Sequence, residues 1–346
     1  MNKLLYPLSC LYGVLSKADR ALKKPRKLSK PVISVGNITW GGSGKTPIVI
    51  ELAKFITDNG KKPAILTRGY GRKSKEPILL QDGGGNIDIA KSGDEPLLIA
   101  KSVPEASIII GANRYENALK FESEIAPDVY ILDDGFQHWK IHRDLDIVCI
   151  NAANPFGNDM LIPAGILREK PKESLKRAGL VIVTNSDFAL NGDVALLETL
   201  IWDWTAQYPA MTYYGGFQYK KLNLKTVIDL DDLRKQKIVL LSAIGFAKGF
   251  KNSVEKSGLQ ISGAIEFPDH KFYTLKGLKK ILSSLSKENC LIITAKDAVK
   301  IEQIADEELN ERIAVLTVRP IFRGEDIYKA GNKLWQEKIL KVLASS

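Results

Sequence analysis

Two stretches carry residues whose types and spacing suit phosphate chemistry. The first is Gly36 to Pro47, reading Gly-Asn-Ile-Thr-Trp-Gly-Gly-Ser-Gly-Lys-Thr-Pro. Gly41, Gly42, Ser43 and Gly44 stand directly before Lys45 and Thr46. Such a loop turns successive backbone N–H groups toward an anion, with a helix N-terminus behind them. The lysine then reaches the β- and γ-phosphates, and the threonine hydroxyl sits on Mg²⁺. The usual pattern has glycine five residues before Gly44. Thr39 stands there instead, and Gly36 with Gly41-Gly42 is expected to supply the flexibility. The second stretch is Asp133-Asp134, ending the apolar run Val129 to Leu132. A metal-binding aspartate belongs at such a strand end, beside the phosphate loop. Adjacent carboxylates on a strand face opposite ways, so one suits the metal and the other anchors the loop. Which does which is left open.

Further residues are suggestive singly. Gly93-Asp94-Glu95-Pro96 opens a helical pattern, and Asp94 there reads as a functional carboxylate or as a plain N-cap. Arg114 follows Gly111-Ala112-Asn113 at a strand end, a natural place for an anion-binding arginine or for a surface ion pair. The loop from Pro163 to Glu169 carries both charges, on Arg168 and Glu169. Of three histidines, His138 and His142 are four apart, a spacing that serves a metal on a helix, but no third ligand lies nearby. His270 stands alone between Asp269 and Lys271.

The elements that must position these groups show a βα rhythm. Val32-Ile33-Ser34-Val35 is a strand into the glycine loop, and an amphipathic run from Ile48 through Ile56 closes at Asn59-Gly60 as a helix does. Strands are expected at Ala64–Thr67, Ser107–Ile110, Val129–Leu132, Ile147–Ile150 and Leu180–Val183. Short, continuously apolar strands between helical patterns predict a parallel sheet covered on both faces. Residues 210–222 alternate and predict an antiparallel ribbon or linker. A second α/β set begins at Ile238, with strands near Leu259–Ile265, Leu291–Thr294 and Val315–Val318, and a final helix spans about Asp326 to Leu343. The expected division is therefore a docking segment at 1–30, a phosphate-loop domain at 31–209, a β-ribbon linker at 210–225, a smaller α/β domain at 226–325 and a helix at 326–346.

The 346 residues suit two domains with their own cores. Three widely separated cysteines, Cys10, Cys149 and Cys290, suggest neither a disulfide framework nor a metal cluster. The net charge of +10 is concentrated: residues 1–30 hold eight basic residues against Asp19, a balance of +7 that leaves +3 for the rest. The body is thus not a basic nucleic-acid binder. Residues 4–15 are an apolar run of twelve, too short for the roughly twenty a membrane span needs. Pro7 and Gly13 also interrupt it. An interfacial segment is the expectation, its apolar side chains dipping into a bilayer and its basic run meeting anionic headgroups. The alternative is a helix packed on the protein's own core.

Taken together, the motifs resemble tetraacyldisaccharide 4′-kinase, the lipid A 4′-kinase family of Gram-negative bacteria. The matching strings are Ser34–Asn37 with Gly41–Pro47, Thr67–Gly71, Gly93–Pro96, Asn113-Arg114 and Leu132-Asp133-Asp134-Gly135-Phe136-Gln137-His138. They continue with Asn154–Gly157, Pro163–Gly165, Leu167–Glu169, Pro268–His270 and Lys296–Lys300. The string Ala243-Ile244-Gly245-Phe246-Ala247 departs, since the family usually has Gly-Asn-Pro after the isoleucine. The resemblance implies two α/β/α domains joined by a β-ribbon, with the active site in the cleft. It implies transfer of the ATP γ-phosphoryl group to the 4′-hydroxyl of an acylated glucosamine disaccharide 1-phosphate, at the cytoplasmic face of the inner membrane. Nucleotide would be held by residues 41–46 with Asp134 and Gln137. The metal would be held by Thr46, Asp133 and Glu169. Lys45 and Arg114 would act on the transferring group, and Asp94 paired with His270 would take the hydroxyl proton. A monomer is expected, with ATP and Mg²⁺ as cofactors and no nucleic-acid partner.

Two other readings compete. A phosphate-loop GTPase or metallochaperone should show Asn/Thr-Lys-x-Asp after a late strand; Thr184-Asn185-Ser186-Asp187 lacks the lysine, and Thr294-Ala295-Lys296-Asp297 has it one place late. A nucleotide-sensing membrane adaptor would not need Asp94, Asp133 and His270 together.

Overall fold

The computed structural model describes residues 5–85, 87–269, 271–323 and 329–344. Its strands are β1 (Val32–Asn37), β2 (Pro63–Thr67), β3 (Ile78–Leu80), β4 (Ser107–Ile110), β5 (Val129–Asp133), β6 (Leu145–Asn151) and β7 (Leu180–Thr184). They continue as β8 (Ala210–Lys220), β9 (Val227–Ile228), β10 (Lys237–Ser242), β11 (Ile261–Glu266), β12 (Asn289–Thr294) and β13 (Ile313–Phe322). The helices of the first half are α1 (Tyr6–Leu22), α2 (Lys45–Asp58), α3 (Ile89–Ser92), α4 (Asp94–Ser102), α5 (Arg114–Ile125), α6 (Pro171–Ser174) and α7 (Asn191–Thr205). Those of the second half are α8 (Leu230–Arg234), α9 (Ala247–Lys256), α10 (Leu275–Ser283), α11 (Ala295–Ile301), α12 (Glu307–Arg312) and α13 (Lys329–Ala344).

The described strands form one sheet ordered β11-β10-β12-β13-β8-β7-β6-β1-β5-β2-β4-β3, with β9 on β8. The first arm, from β3 to β7, is parallel except for β3. Its strands β1, β2 and β5 are buried throughout, which is why they read as unbroken apolar runs. The second arm is parallel through β11, β10, β12 and β13. Between the arms β8 and β13 run antiparallel from Phe322↔Thr212 to Val315↔Lys220, while the start of β8 pairs parallel with β7. The alternation at 210–222 is this ribbon.

Each arm has helices on both faces. In the first, α2 buries Ile48, Val49, Leu52 and Ile56 against Ile33, Val35 and Ile131. On the other face, Val194, Leu197 and Ile201 of α7 meet Val148, Val181 and Val183. The last helix, α13, does not stay with the second arm. Trp335, Ile339 and Leu343 enter the first arm's core, and the Trp335 ring stacks on Phe322 at 4.7 Å. The expected start of that helix, at 326, lies outside the described residues.

Helix α1 is pinned at Ser9. Its hydroxyl donates to the Leu161 carbonyl at 2.8 Å and accepts from the Ala164 N–H at 3.0 Å. Leu8, Leu11, Val14 and Leu15 point outward and are more than half exposed. No helix among the described residues is long and apolar enough to cross a membrane.

Candidate active site

The site follows from the order of the central strands. β1 lies between β5 and β6, and Val35 sits opposite Asp133. The chain leaving β1 therefore turns beside Asp133-Asp134, at the C-terminal edge where ligands bind in open α/β sheets. Gly44 adopts φ +73, a left-handed conformation that leads into α2. A side chain there would be strained, and its Cβ would stand 2.9 Å from the Tyr214 hydroxyl. Gly41 takes φ +113, so the backbone freedom that Thr39 lacks lies two residues on. Gly36 serves packing instead, since a Cβ would come 2.7 Å from the Phe136 nitrogen.

Buried polar groups brace the loop. Asn37 Nδ2 donates to Ser43 Oγ at 2.8 Å, Thr184 Oγ1 to the Ser43 carbonyl at 3.0 Å, and Asn151 Nδ2 to the Gly42 carbonyl at 3.1 Å. These struts come from β1, β7 and β6. They hold the Ser43 hydroxyl and the Gly42 and Ser43 carbonyls from three neighbouring strands.

The two strand-end aspartates do face apart. Asp133 Oδ2 accepts from Thr67 Oγ1 at 2.9 Å. Burial first, then the charges of Glu95 and Asp134, push its carboxyl up to about 6 against the pull of Lys45. Asp134, at φ +47, meets Lys45 Nζ at 3.5 Å and Arg168 at 3.0 Å. Burial opposes its charge, but Lys45 and Arg168 outweigh it and hold its carboxyl below the usual range. Arg114 clamps this turn from behind. Its Nη1 donates to the Asp133 carbonyl at 2.9 Å and to the Asp134 carbonyl at 3.3 Å. Burial lowers its pKa, opposed by both aspartates.

Gln137 and Glu169 belong to the frame. Gln137 Nε2 donates to the Asn37 carbonyl and to Glu169 Oε1, both at 2.9 Å, and its Oε1 accepts from Arg168 at 3.2 Å. Glu169, expected among the metal ligands, is instead ion-paired to Arg177 at 2.7 Å and does not line the cleft. The same Oε1 takes both donors, so its charge is already spent on cations and amides of the frame. His138 and His142 do not share a helix: the segment after β5 is a series of turns, and His142 faces Asp144 at 3.6 Å.

Asp94 opens α4 and is buried. The helix cap is Gly93, and Asp94 Oδ1 accepts from the Glu95 N–H at 2.9 Å. His270 lies outside the described residues; its neighbour Asp269 lines the cleft. The cleft, ≈ 910 Å³, runs from residues 41–46, Asp133 and Asp134 on the first arm to Asp269 and Lys296 on the second. The sequence gives Lys296 no role of its own, nor Asn37, Asn151 and Thr184, although Lys296 stands in a matching string. Lys296 was visible within Thr-Ala-Lys-Asp, where Thr294 and Asp297 cap a helix start and aim the residue between them.

A family model for tetraacyldisaccharide-1-P 4′-kinase matches residues 1–333. The chain belongs to that family. A tetraacyldisaccharide 4′-kinase of Anaeromyxobacter dehalogenans (strain 2CP-C) is 34% identical over 316 residues, covering 90% of this chain and 83% of the relative. One from Geobacter sulfurreducens is 35% identical over 320 residues, covering 90% and 88%. The crystal structure of LpxK from Aquifex aeolicus in complex with ATP superposes with a TM-score of 0.75 at 28% identity, covering 98% of both chains. The family thus rests on the whole chain. The α/β architecture with its mainly parallel sheet is the family's as well.

The donor chemistry present fits Mg²⁺. Thr46 offers a hydroxyl and Asp133 a buried carboxylate, its pKa raised by burial and then by the charges of Glu95 and Asp134. Mg²⁺ prefers hard oxygen donors and keeps waters and substrate phosphates, so it does not need a cage of side chains. Among the described residues no cluster of three or more His, Cys, Asp or Glu forms one.

Proposed function

We propose that this family member transfers the γ-phosphoryl group of ATP to the 4′-hydroxyl of an acylated glucosamine disaccharide 1-phosphate. One observation carries the reading: the braced glycine loop, Lys45 and the Asp133-Asp134 turn open into a single cleft whose far wall belongs to the second arm. Backbone N–H groups of residues 41–46 and the Lys45 ammonium bind the β- and γ-phosphates. Thr46 and Asp133 would hold Mg²⁺, which when bound neutralises phosphate charge. Asp134 keeps Lys45 and Arg168 in place, and Arg114 fixes the turn that carries both aspartates. Asp94 accepts the proton of the attacking hydroxyl, and the family resemblance pairs it with His270. The sugar oxygen forms a bond to the γ-phosphorus, the bond to the bridging β–γ oxygen breaks, and ADP leaves with that electron pair. Most of the catalysis in such a transfer is positioning and charge stabilisation.

The lipid acceptor accounts for α1. A helix fixed by Ser9 with leucines facing outward, within a segment of charge +7, suits docking on an anionic bilayer surface, here the cytoplasmic face of the inner membrane. The test of the whole reading is transfer of labelled γ-phosphate from ATP to purified tetraacyldisaccharide 1-phosphate. Hydrolysis of GTP in preference to ATP, with no labelled lipid, would favour the GTPase reading.

A further inference from the structure

From the ion pairs that cross the cleft, we propose that Lys296 is a positioning residue for phosphoryl transfer: its ammonium holds the proton-accepting carboxylate of one arm to Asp269 of the other. The inference rests on the reading of Asp94 as the base.

Lys296 Nζ lies 3.2 Å from Glu95 Oε1, 3.4 Å from Asp269 Oδ1 and 3.8 Å from Asp94 Oδ2. Two of these carboxylates start α4 on the first arm, and the third sits on the loop after β11 on the second. One cation therefore ties three acids from both walls. Asp94 is gripped from two sides, Oδ1 by the Glu95 N–H and Oδ2 by Lys296. The side chain is largely buried, and burial alone would lower its pKa, but Glu95, Asp94 and Asp269 together raise it. A cation in the first turn of a helix gains nothing from the helix dipole, so these carboxylates are what holds it.

The stem is aimed rigidly. Thr294 Oγ1 caps α11 by accepting from the Asp297 N–H at 3.1 Å and donating to Asp297 Oδ2 at 2.8 Å. Asp297, fully buried, also takes the Ala243 N–H at 3.1 Å and the Tyr273 hydroxyl at 3.1 Å. Helices α4 and α11 pack through Leu97, Leu98 and Val299. Lys296 thus ties the base to the second arm's loop at one end of the α4–α11 contact, and Lys101 pairs with Glu302 at the other.

The test is steady-state kinetics on the full-length enzyme carrying Lys296→Gln or Lys296→Arg, each alone and combined with Asp94→Asn. A misplacement of about 1 Å can cost about 10²-fold, so Lys296→Gln should lower kcat by about 10- to 100-fold with KM for ATP little changed. Lys296→Arg, which keeps the charge, should recover most of kcat. The double variant should be hardly slower than Asp94→Asn. Wild-type kcat in Lys296→Gln overturns the proposal. So does a loss that falls on KM for ATP, which would make Lys296 a nucleotide ligand, or losses that multiply fully in the double variant. If Asp94→Asn alone keeps wild-type kcat, the assignment of the base fails, and that result is separate from any effect of Lys296.

Discussion

On the first arm's wall of the cleft, Ser43 and Gly42 are each held by side chains from neighbouring strands, and Asp134 is fixed by Lys45, Arg168 and the Arg114 clamp below it. On the second arm's wall, Lys296 reaches the reaction centre from one capped helix, and the arms join elsewhere through the β8–β13 ribbon, the α4–α11 contact and a few ion pairs such as Lys101–Glu302. One wall has its groups fixed by strands on either side. The other is positioned by a small number of contacts made at a distance. Phosphate binding needs geometry settled before the ligand arrives, whereas a wall that must admit a lipid sugar and then approach it gains from fewer constraints.

The largest expected effect lies on the first wall. Lys45→Ala should lower kcat by at least about 10²- to 10³-fold, the scale of losing one preorganised charge, with an unchanged thermal midpoint, because Lys45 is held to the fold chiefly by Asp134. Asp133→Asn should behave alike. Turnover at saturating ATP and Mg²⁺ together with calorimetry checks both, and near-normal rates would move the site elsewhere.

On the second wall the largest effect should be on stability. Asp297→Ala strips the partner from Lys300, 2.8 Å away and buried, and leaves the Ala243 N–H and the Tyr273 hydroxyl without their acceptor. Breaking a buried pair costs about 3–5 kcal/mol. Urea unfolding should show that loss. An unchanged midpoint would mean that the second wall is held by its apolar core alone.

Much of this contrast was legible before any coordinates. The glycine loop and the acidic strand end are local: each residue acts within a few positions of its own strand, so type and spacing reveal them. The central strands were equally plain, because burial on both faces makes them continuously apolar. The string that holds Lys296 was legible, but its contacts were not, since its partners are about 27 and 200 residues away. The final helix was legible as a helix, but its docking on the first arm was not, since Phe55 and Phe322 receive its Trp335 there. The pairing of Glu169 was not legible either, because its place in a conspicuous charged loop gave no hint of Arg177, eight residues on.

A smaller effect concerns the surface below both walls. Removing residues 1–24 should weaken binding to anionic vesicles and raise KM for the lipid more than KM for ATP, since each basic residue near such a surface contributes about 1 kcal/mol. Sedimentation with vesicles at low and high salt measures it. Equal binding by the truncated chain, or indifference to salt, would leave α1 as a packing element.

The smallest effect is a pH slope that reports the charge around one side chain of the first arm. Lys296 is ringed by carboxylates from both arms, whereas His138 sits among cations. Burial, then Arg114, Arg143, Lys140 and Lys23, lower its pKa from the ordinary imidazole value to about 3. The folded protein therefore keeps His138 neutral at pH values where the unfolded chain protonates it. By linkage, stability falls wherever the unfolded state binds more protons as pH drops. The contribution is fully present above about 6.5, where both states are neutral, and is lost progressively as pH falls from there toward 3. His138→Gln cannot titrate, so it should lack that part of the slope. Thermal midpoints of the two proteins, compared from pH 7.5 down to 4.5, should converge, or cross in favour of the variant, as the pH is lowered. The imidazole carbon resonances of His138 should stay at their neutral positions over the same range. A constant gap between the midpoints, or an imidazole that titrates near 6.5, would show that the cations around His138 are screened by solvent.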